Sequence, residues 1–150
     1  MNQLFTRIQK NPKHFALLVL TSPLIYGLII PFIIADICGT VYQAVCFRVY
    51  KIPMVDRAQH VVFDRVKLEH LNWYQKLNCL YCEYANGVIS YVAEITARTE
   101  WYWCPIKHAN TPPDPHAHYD RFIDYEDGES FSKKLKAQRR ACTACDKDVS

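Results

Sequence analysis

The chain has 150 residues, with 18 Lys and Arg against 15 Asp and Glu. That length makes one domain with an appendage, and the net charge of +3 is too mild to imply a nucleic-acid binder. Half of the residues are hydrophobic and 13% are aromatic, which excludes a disordered chain.

Residues 1–14 are polar and basic, with Arg7, Lys10 and Lys13. Residues 15–35 then carry no charge, a run of 21 residues. About 20 apolar residues are what a helix needs to span a bilayer. Apolar character continues to Phe47, and Asp36 is the only charge from Phe15 to Phe47. As one helix this stretch reaches about 50 Å, more than one span and less than two. Two readings stay open. One helix spans and emerges as an interfacial segment, or the chain dips in and returns at Ser22-Pro23 or Pro31. Basic residues flank both ends, with Arg48, Lys51 and Arg57 on the far side, so the positive-inside rule selects neither orientation of a single span. Asp36 marks the end of the apolar helix or, inside the membrane, a functional group. Seven cysteines would suit a disulfide scaffold behind a signal peptide. The apolar run is too long for one and lacks an Ala-x-Ala cleavage pattern. The odd cysteine count in C-x-x-C pairs points to a reducing compartment.

Residues 51–77 connect the membrane segment to the cysteine-bearing region. Ile52-Pro53 ends the interfacial part, residues 60–63 are strand-like, and Asp64 is placed to cap a helix through Val66, Leu68, Leu71, Tyr74 and Leu77. Next comes Cys79-Leu80-Tyr81-Cys82, then 21 residues, then Cys104-Pro105-Ile106-Lys107-His108. Cys79, Cys82, Cys104 and His108 form the donor set of a closed tetrahedral zinc site. Asn86-Gly87 reads as a turn opening a helix through Val88, Tyr91, Val92, Ile95, Thr99 and Tyr102, and Pro105 suits the first turn of another. The expectation is a metal knuckle, a helix leading away and a return to the second pair. A redox dithiol and inert buried thiols are the competing readings. Iron is the alternative metal, with Cys142 or Cys145 supplying a further thiolate. Arg98 and Glu94, four apart, read as an ion pair.

Residues 110–118 form a proline-rich loop in which His116 and His118 are spaced to clamp a metal or simply to face solvent. Residues 119–125 read as a short aromatic helix and residues 130–141 as a basic surface helix. Cys142 and Cys145 make a second C-x-x-C in a mobile tail that the metal site does not need.

The stretches LNCLYCEYANG (77–87), ARTEWYWCPIKHA (97–109) and YQAVCF (42–47), with Ile52-Pro53, resemble a bacterial family of small, uncharacterised membrane-associated proteins. The likeness covers residues 15–125. It implies a bacterial inner-membrane location and brings no activity.

The expected fold is mainly α: an N-terminal membrane helix, spanning or re-entrant, plus a small helical zinc-knuckle domain facing the cytoplasm. The segments are 1–50, 51–127 and 128–150. Three function classes fit this reading. The first is a non-enzymatic zinc module in the lipid bilayer, an accessory or assembly subunit with protein partners in a membrane complex. The second is an iron–sulfur or rubredoxin-like carrier or a dithiol redox protein. The third is a membrane-bound enzyme acting on a lipid-linked substrate.

Overall fold

The computed structural model describes residues 12–144, so Arg7, Lys10 and Cys145 lie outside the described part. The described chain is mainly helical, and its only β feature is an isolated parallel bridge between Ile106 and Ile123.

Helix α1 (Pro12–Gly27) passes through a single turn residue, Leu28, into α2 (Ile29–Tyr42). It then continues through a π segment (Gln43–Phe47) and the short α3 (Arg48–Tyr50). The chain does not dip and return at its prolines. Pro23 cannot donate to the carbonyl of Val19, but the Ser22 hydroxyl donates to that carbonyl at 2.9 Å. Pro31 falls in the first turn of α2, where a backbone N–H has no helical partner anyway. The result is one helix, Val19–Tyr50, of 32 residues, long and apolar enough to cross a membrane.

This helix ends at Lys51, which adopts the left-handed conformation with φ 57°. The Ile52 N–H then donates to the Phe47 carbonyl at 2.9 Å, and both side chains are buried. This is the Schellman arrangement, with its apolar contact, at a position where glycine is the usual residue.

Residues 51–72 form a strap that runs back along the helix. Its only regular pieces are α4 (Arg57–His60), capped by the Asp56 carboxylate on Ala58 N–H at 3.0 Å, and a 3₁₀ turn, Arg65–Lys67. The expected strand at residues 60–63 is replaced by the end of α4 and irregular chain. The helix expected from Asp64 is replaced by the 3₁₀ turn, which Leu68 ends in extended conformation.

Helix α5 (Trp73–Trp103) has 31 residues and begins at a capping box in which Asn72 and Gln75 bond each other's backbone. It runs parallel to the first helix. The Tyr26 hydroxyl donates to Asn78 at 2.6 Å near one end, and the Tyr50 and Tyr102 rings lie 5.4 Å apart near the other. Asn86-Gly87 does not open a helix but sits inside α5. Gly87 is needed there because a Cβ would come within 2.8 Å of the His60 carbonyl oxygen and Val61 Cα, where the strap crosses.

Beyond α5 the chain folds back along it. Pro105 starts no helix; its carbonyl instead accepts from Ile123 N–H at 2.8 Å. The aromatic helix expected over residues 119–125 shortens to a 3₁₀ turn, Tyr119–Arg121. Helix α6 (Phe131–Ala144) matches the expected basic helix but runs further. It docks on the C-terminal end of α5. Trp101 Nε1 donates to Gln138 at 2.7 Å, and the Arg139 guanidinium donates to the Tyr102 carbonyl at 3.0 Å. A cation at the carbonyl end of a helix is electrostatically favoured. Cys142, expected in a mobile tail, is buried in this contact. The core draws Phe47 from the end of the first helix, Ile52 and Val55 from the strap, Tyr91, Ile95 and Trp101 from α5, Tyr119 and Phe122 from the returning chain and Cys142 from α6.

Candidate functional site

The four expected metal ligands are not brought together. Cys79 and Cys82 lie near the start of α5, Cys104 caps its far end, and His108 lies beyond it. The helical residues between the two pairs hold them roughly 30 Å apart at 1.5 Å per residue, whereas a zinc ion holds its donors at about 2.0–2.3 Å. The cause is that helical periodicity does not start at Val88, as expected, but at the Asn72 cap, so C-x-x-C rides on a helix rather than a knuckle. His108 stacks on Tyr119 with ring centroids 6.2 Å apart. The Cys142 sulfur faces the Arg98 carbonyl at 3.8 Å, which does not assemble the iron alternative either. Among the described residues no group of three or more His, Cys, Asp and Glu side chains is placed to hold a metal ion.

His116 and His118 do not clamp a common point. Each turns to its own glutamate on α5, His116 Nε2 to Glu100 at 3.2 Å and His118 Nε2 to Glu94 at 3.0 Å. His116 Nδ1 accepts from the His118 backbone N–H at 3.2 Å, so the proton of a neutral His116 sits on Nε2 and is donated to Glu100. Glu94 also accepts from Arg98 Nε at 2.8 Å, the expected ion pair. Burial pushes the Glu94 carboxyl up, but the hydrogen bonds from His118 and Arg98 outweigh it and bring the pKa to about 2. The histidines therefore fasten the returning loop to the helix.

Asp36, the lone charge of the apolar stretch, neither ends its helix nor faces open surroundings. It is 7% exposed and accepts a two-pronged bond from Arg57 of the strap, Nε at 2.9 Å and Nη2 at 2.6 Å. The Tyr84 hydroxyl of α5 donates to the same carboxylate at 3.0 Å. One side chain thus ties three segments. Gln43 adds a second tie two turns beyond, accepting from Val55 N–H at 3.0 Å and donating to its carbonyl at 3.3 Å.

The opposite face of the first helix has no such partners. Ile30, Ile34, Ile37, Val41 and Val45 recur at three- and four-residue spacing and are all exposed. Exposed apolar and aromatic side chains continue on the strap and the start of α5, at Val62, Phe63, Trp73, Leu77 and Leu80.

Between the first helix, α5 and the returning loop runs an apolar groove of about 670 Å³. Leu28, Pro31 and Phe32 form one wall, Val88, Val92 and Thr96 lie along α5, and Glu100, His108, Asp114 and His116 bring polar groups to it. Its volume and mixed lining fit a bound small molecule. Sequence reasoning missed it because its walls lie some 60 residues apart in the chain. Compared with family models, curated proteins and solved structures, the chain finds no match.

Proposed function

We propose that this protein is a membrane-attached helical module whose first helix lies lengthwise in one leaflet, holding the charged half of the molecule at the bilayer surface. The observation that carries this reading is the irregular strap alongside the apolar helix. If the helix stood across the bilayer, α5 and the strap would stand at the same depth. Hydrocarbon does not accept lipid-exposed irregular backbone, and the strap carries Arg57, Asp64 and Arg65. Lying in the plane, the helix inserts its exposed stripe of isoleucines and valines, and the polar face that an interfacial helix needs is supplied by α5 and the strap. Trp73 and Tyr74, both exposed at the start of α5, suit the interfacial zone. The corresponding role is that of an accessory or assembly subunit presenting its polar half to protein partners. Attachment to the cytoplasmic face of a bacterial inner membrane accords with the family resemblance and with a cysteine pattern that suits a reducing compartment.

Single tryptophans at positions 30, 37 and 45, in a protein whose own tryptophans are replaced by Phe, test the orientation in vesicles containing brominated lipids. Equal quenching depth at all three is the expected result. A graded depth, with about 22 Å of helix between positions 30 and 45, would establish a crossing helix instead.

The groove favours a second reading, an activity on a lipid-linked or other amphipathic ligand. Its apolar wall includes the membrane-facing helix, and its polar groups come from Glu100 near the end of α5 and from the loop beyond. Ala93→Phe, which fills the groove from an exposed position on α5, should abolish co-purification of a lipid with the detergent-extracted protein. An unchanged lipid content in that variant would remove this reading and leave the attachment reading untouched.

A further inference from the structure

A second pocket, polar where the groove is apolar, lies between the strap and α5. Its volume is about 340 Å³ and its lining includes His60, Asp64, Arg65, Cys82, Glu83 and Asn86. It exists because the strap backbone can rest directly on α5 at Gly87.

Glu83 is the unusual member. Its side chain is only 4% exposed. Oε1 accepts from the Arg65 backbone N–H at 2.9 Å, while the Arg65 guanidinium, 61% exposed, reaches no closer than 3.8 Å. Oε2 is buried and no donor from the described chain reaches it. Burying an ionised oxygen without a donor is strongly unfavourable. Of the neighbouring donors, the Arg65 guanidinium is largely exposed to solvent, and two others are engaged within the chain. The Asn86 amide nitrogen donates to the Cys82 carbonyl at 2.8 Å, and His60 Nδ1 is bonded to the Ser90 hydroxyl at 2.9 Å. Against that one guanidinium the lining sets two carboxylates, Asp64 and Glu83, and the Cys82 sulfur. A ligand that complements this lining must bring positive charge and its own N–H groups. A bare metal ion would instead need converging protein donors, and the carboxylates, histidine and thiol here do not converge.

We infer that this pocket binds a primary ammonium group, with the Glu83 carboxylate as its counter-charge. The group arrives either as a free small amine or as the ethanolamine head of a membrane lipid. Cys82, exposed at the pocket, is covered when the ligand is bound.

The test follows Cys82 alkylation by iodoacetamide in the full-length protein, quantified peptide by peptide, with exposed Cys104 as the internal reference. Ethanolamine at ten times its half-saturating concentration should slow labelling of Cys82 about tenfold and leave Cys104 unchanged. Tetramethylammonium, which has charge but no N–H, should protect neither. Glu83→Gln keeps the acceptor for Arg65 but loses the charge, and should abolish protection. Reconstitution in phosphatidylcholine with or without phosphatidylethanolamine separates the sources. Protection that requires the ethanolamine lipid identifies the head group; protection by free ethanolamine in phosphatidylcholine identifies a soluble amine. The inference is overturned if neither form of ethanolamine slows Cys82 labelling, if tetramethylammonium or phosphatidylcholine protects equally, or if a helical Glu83→Gln protein keeps full protection. Should that variant fail to fold, the contrast between ethanolamine and tetramethylammonium on the native chain decides alone.

Discussion

Glu94 carries two donors from two different elements, and this gives it a measurable signature. Its carboxyl pKa of about 2 lies below the ordinary 4.5, so the folded state binds fewer protons than the unfolded one between these values. The stability it contributes is fully present above pH 4.5 and is lost as the pH falls towards 2. Discounted for its partial exposure, the loss is about 2 kcal/mol. Denaturant titrations at about pH 5.5 and about pH 2.5 should show a smaller difference for Glu94→Gln than for the native chain by about that amount. Asp36 allows a second test at the same scale. Asp36→Ala leaves Arg57 and Tyr84 without their shared acceptor, at a cost of about 2–3 kcal/mol. Tryptic cleavage after Arg57 in the folded protein should then accelerate, because the strap has lost its main fastening; an unchanged rate would mean that Gln43 and the apolar contacts hold it alone. The pairing of Glu94 with Arg98 was legible in the sequence because it lies within one helix. Asp36 could be flagged as anomalous but not explained, since its partners lie 21 and 48 residues away on other segments.

Lys51 ends a long helix in a conformation that costs an L side chain about 1 kcal/mol. Lys51→Gly should therefore raise stability by about 0.5–1 kcal/mol, read as a higher denaturant midpoint at unchanged slope. A fall would show that the Lys51 side chain makes contacts that outweigh the strain. The long apolar helix and the basic α6 were legible because each has an unbroken pattern and, for α6, a clear charged face. The continuity of helix α5 is hidden in the sequence by one residue. Gly87 after Asn86 carries the usual mark of a turn, yet here its missing side chain makes room for the strap to cross a continuous helix. That crossing is a tertiary event with no local trace, and with the turn removed the C-x-x-C pair moves from a knuckle to a helix face. The burial of Cys142 is hidden for a similar reason: it depends on where α6 docks.

Across the whole molecule, the distance between the two cysteine pairs predicts the response to metal removal. With Cys79 and Cys82 at one end of α5 and Cys104 at the other, no single ion bridges the two pairs in the described fold. Treatment with a strong chelator should leave helical content and the thermal midpoint unchanged, and Cys82→Ser, at an exposed site, should shift stability by no more than about 0.5 kcal/mol. A collapse of helicity on chelation would show that the pairs meet in some other arrangement, such as between two copies.

The parallel pairing of the two long helices also bears on how the protein is made. Tyr26 meets Asn78, 52 residues later in the chain. Ribosomes add roughly 5–20 residues per second, so during translation the apolar helix exists for about 3–10 s before the residues that cover its inner face are synthesised. For that interval both of its faces are bare. An apolar helix bare on both faces is prone to self-association, so on this reading early contact with the membrane would shield it until its own second helix is complete.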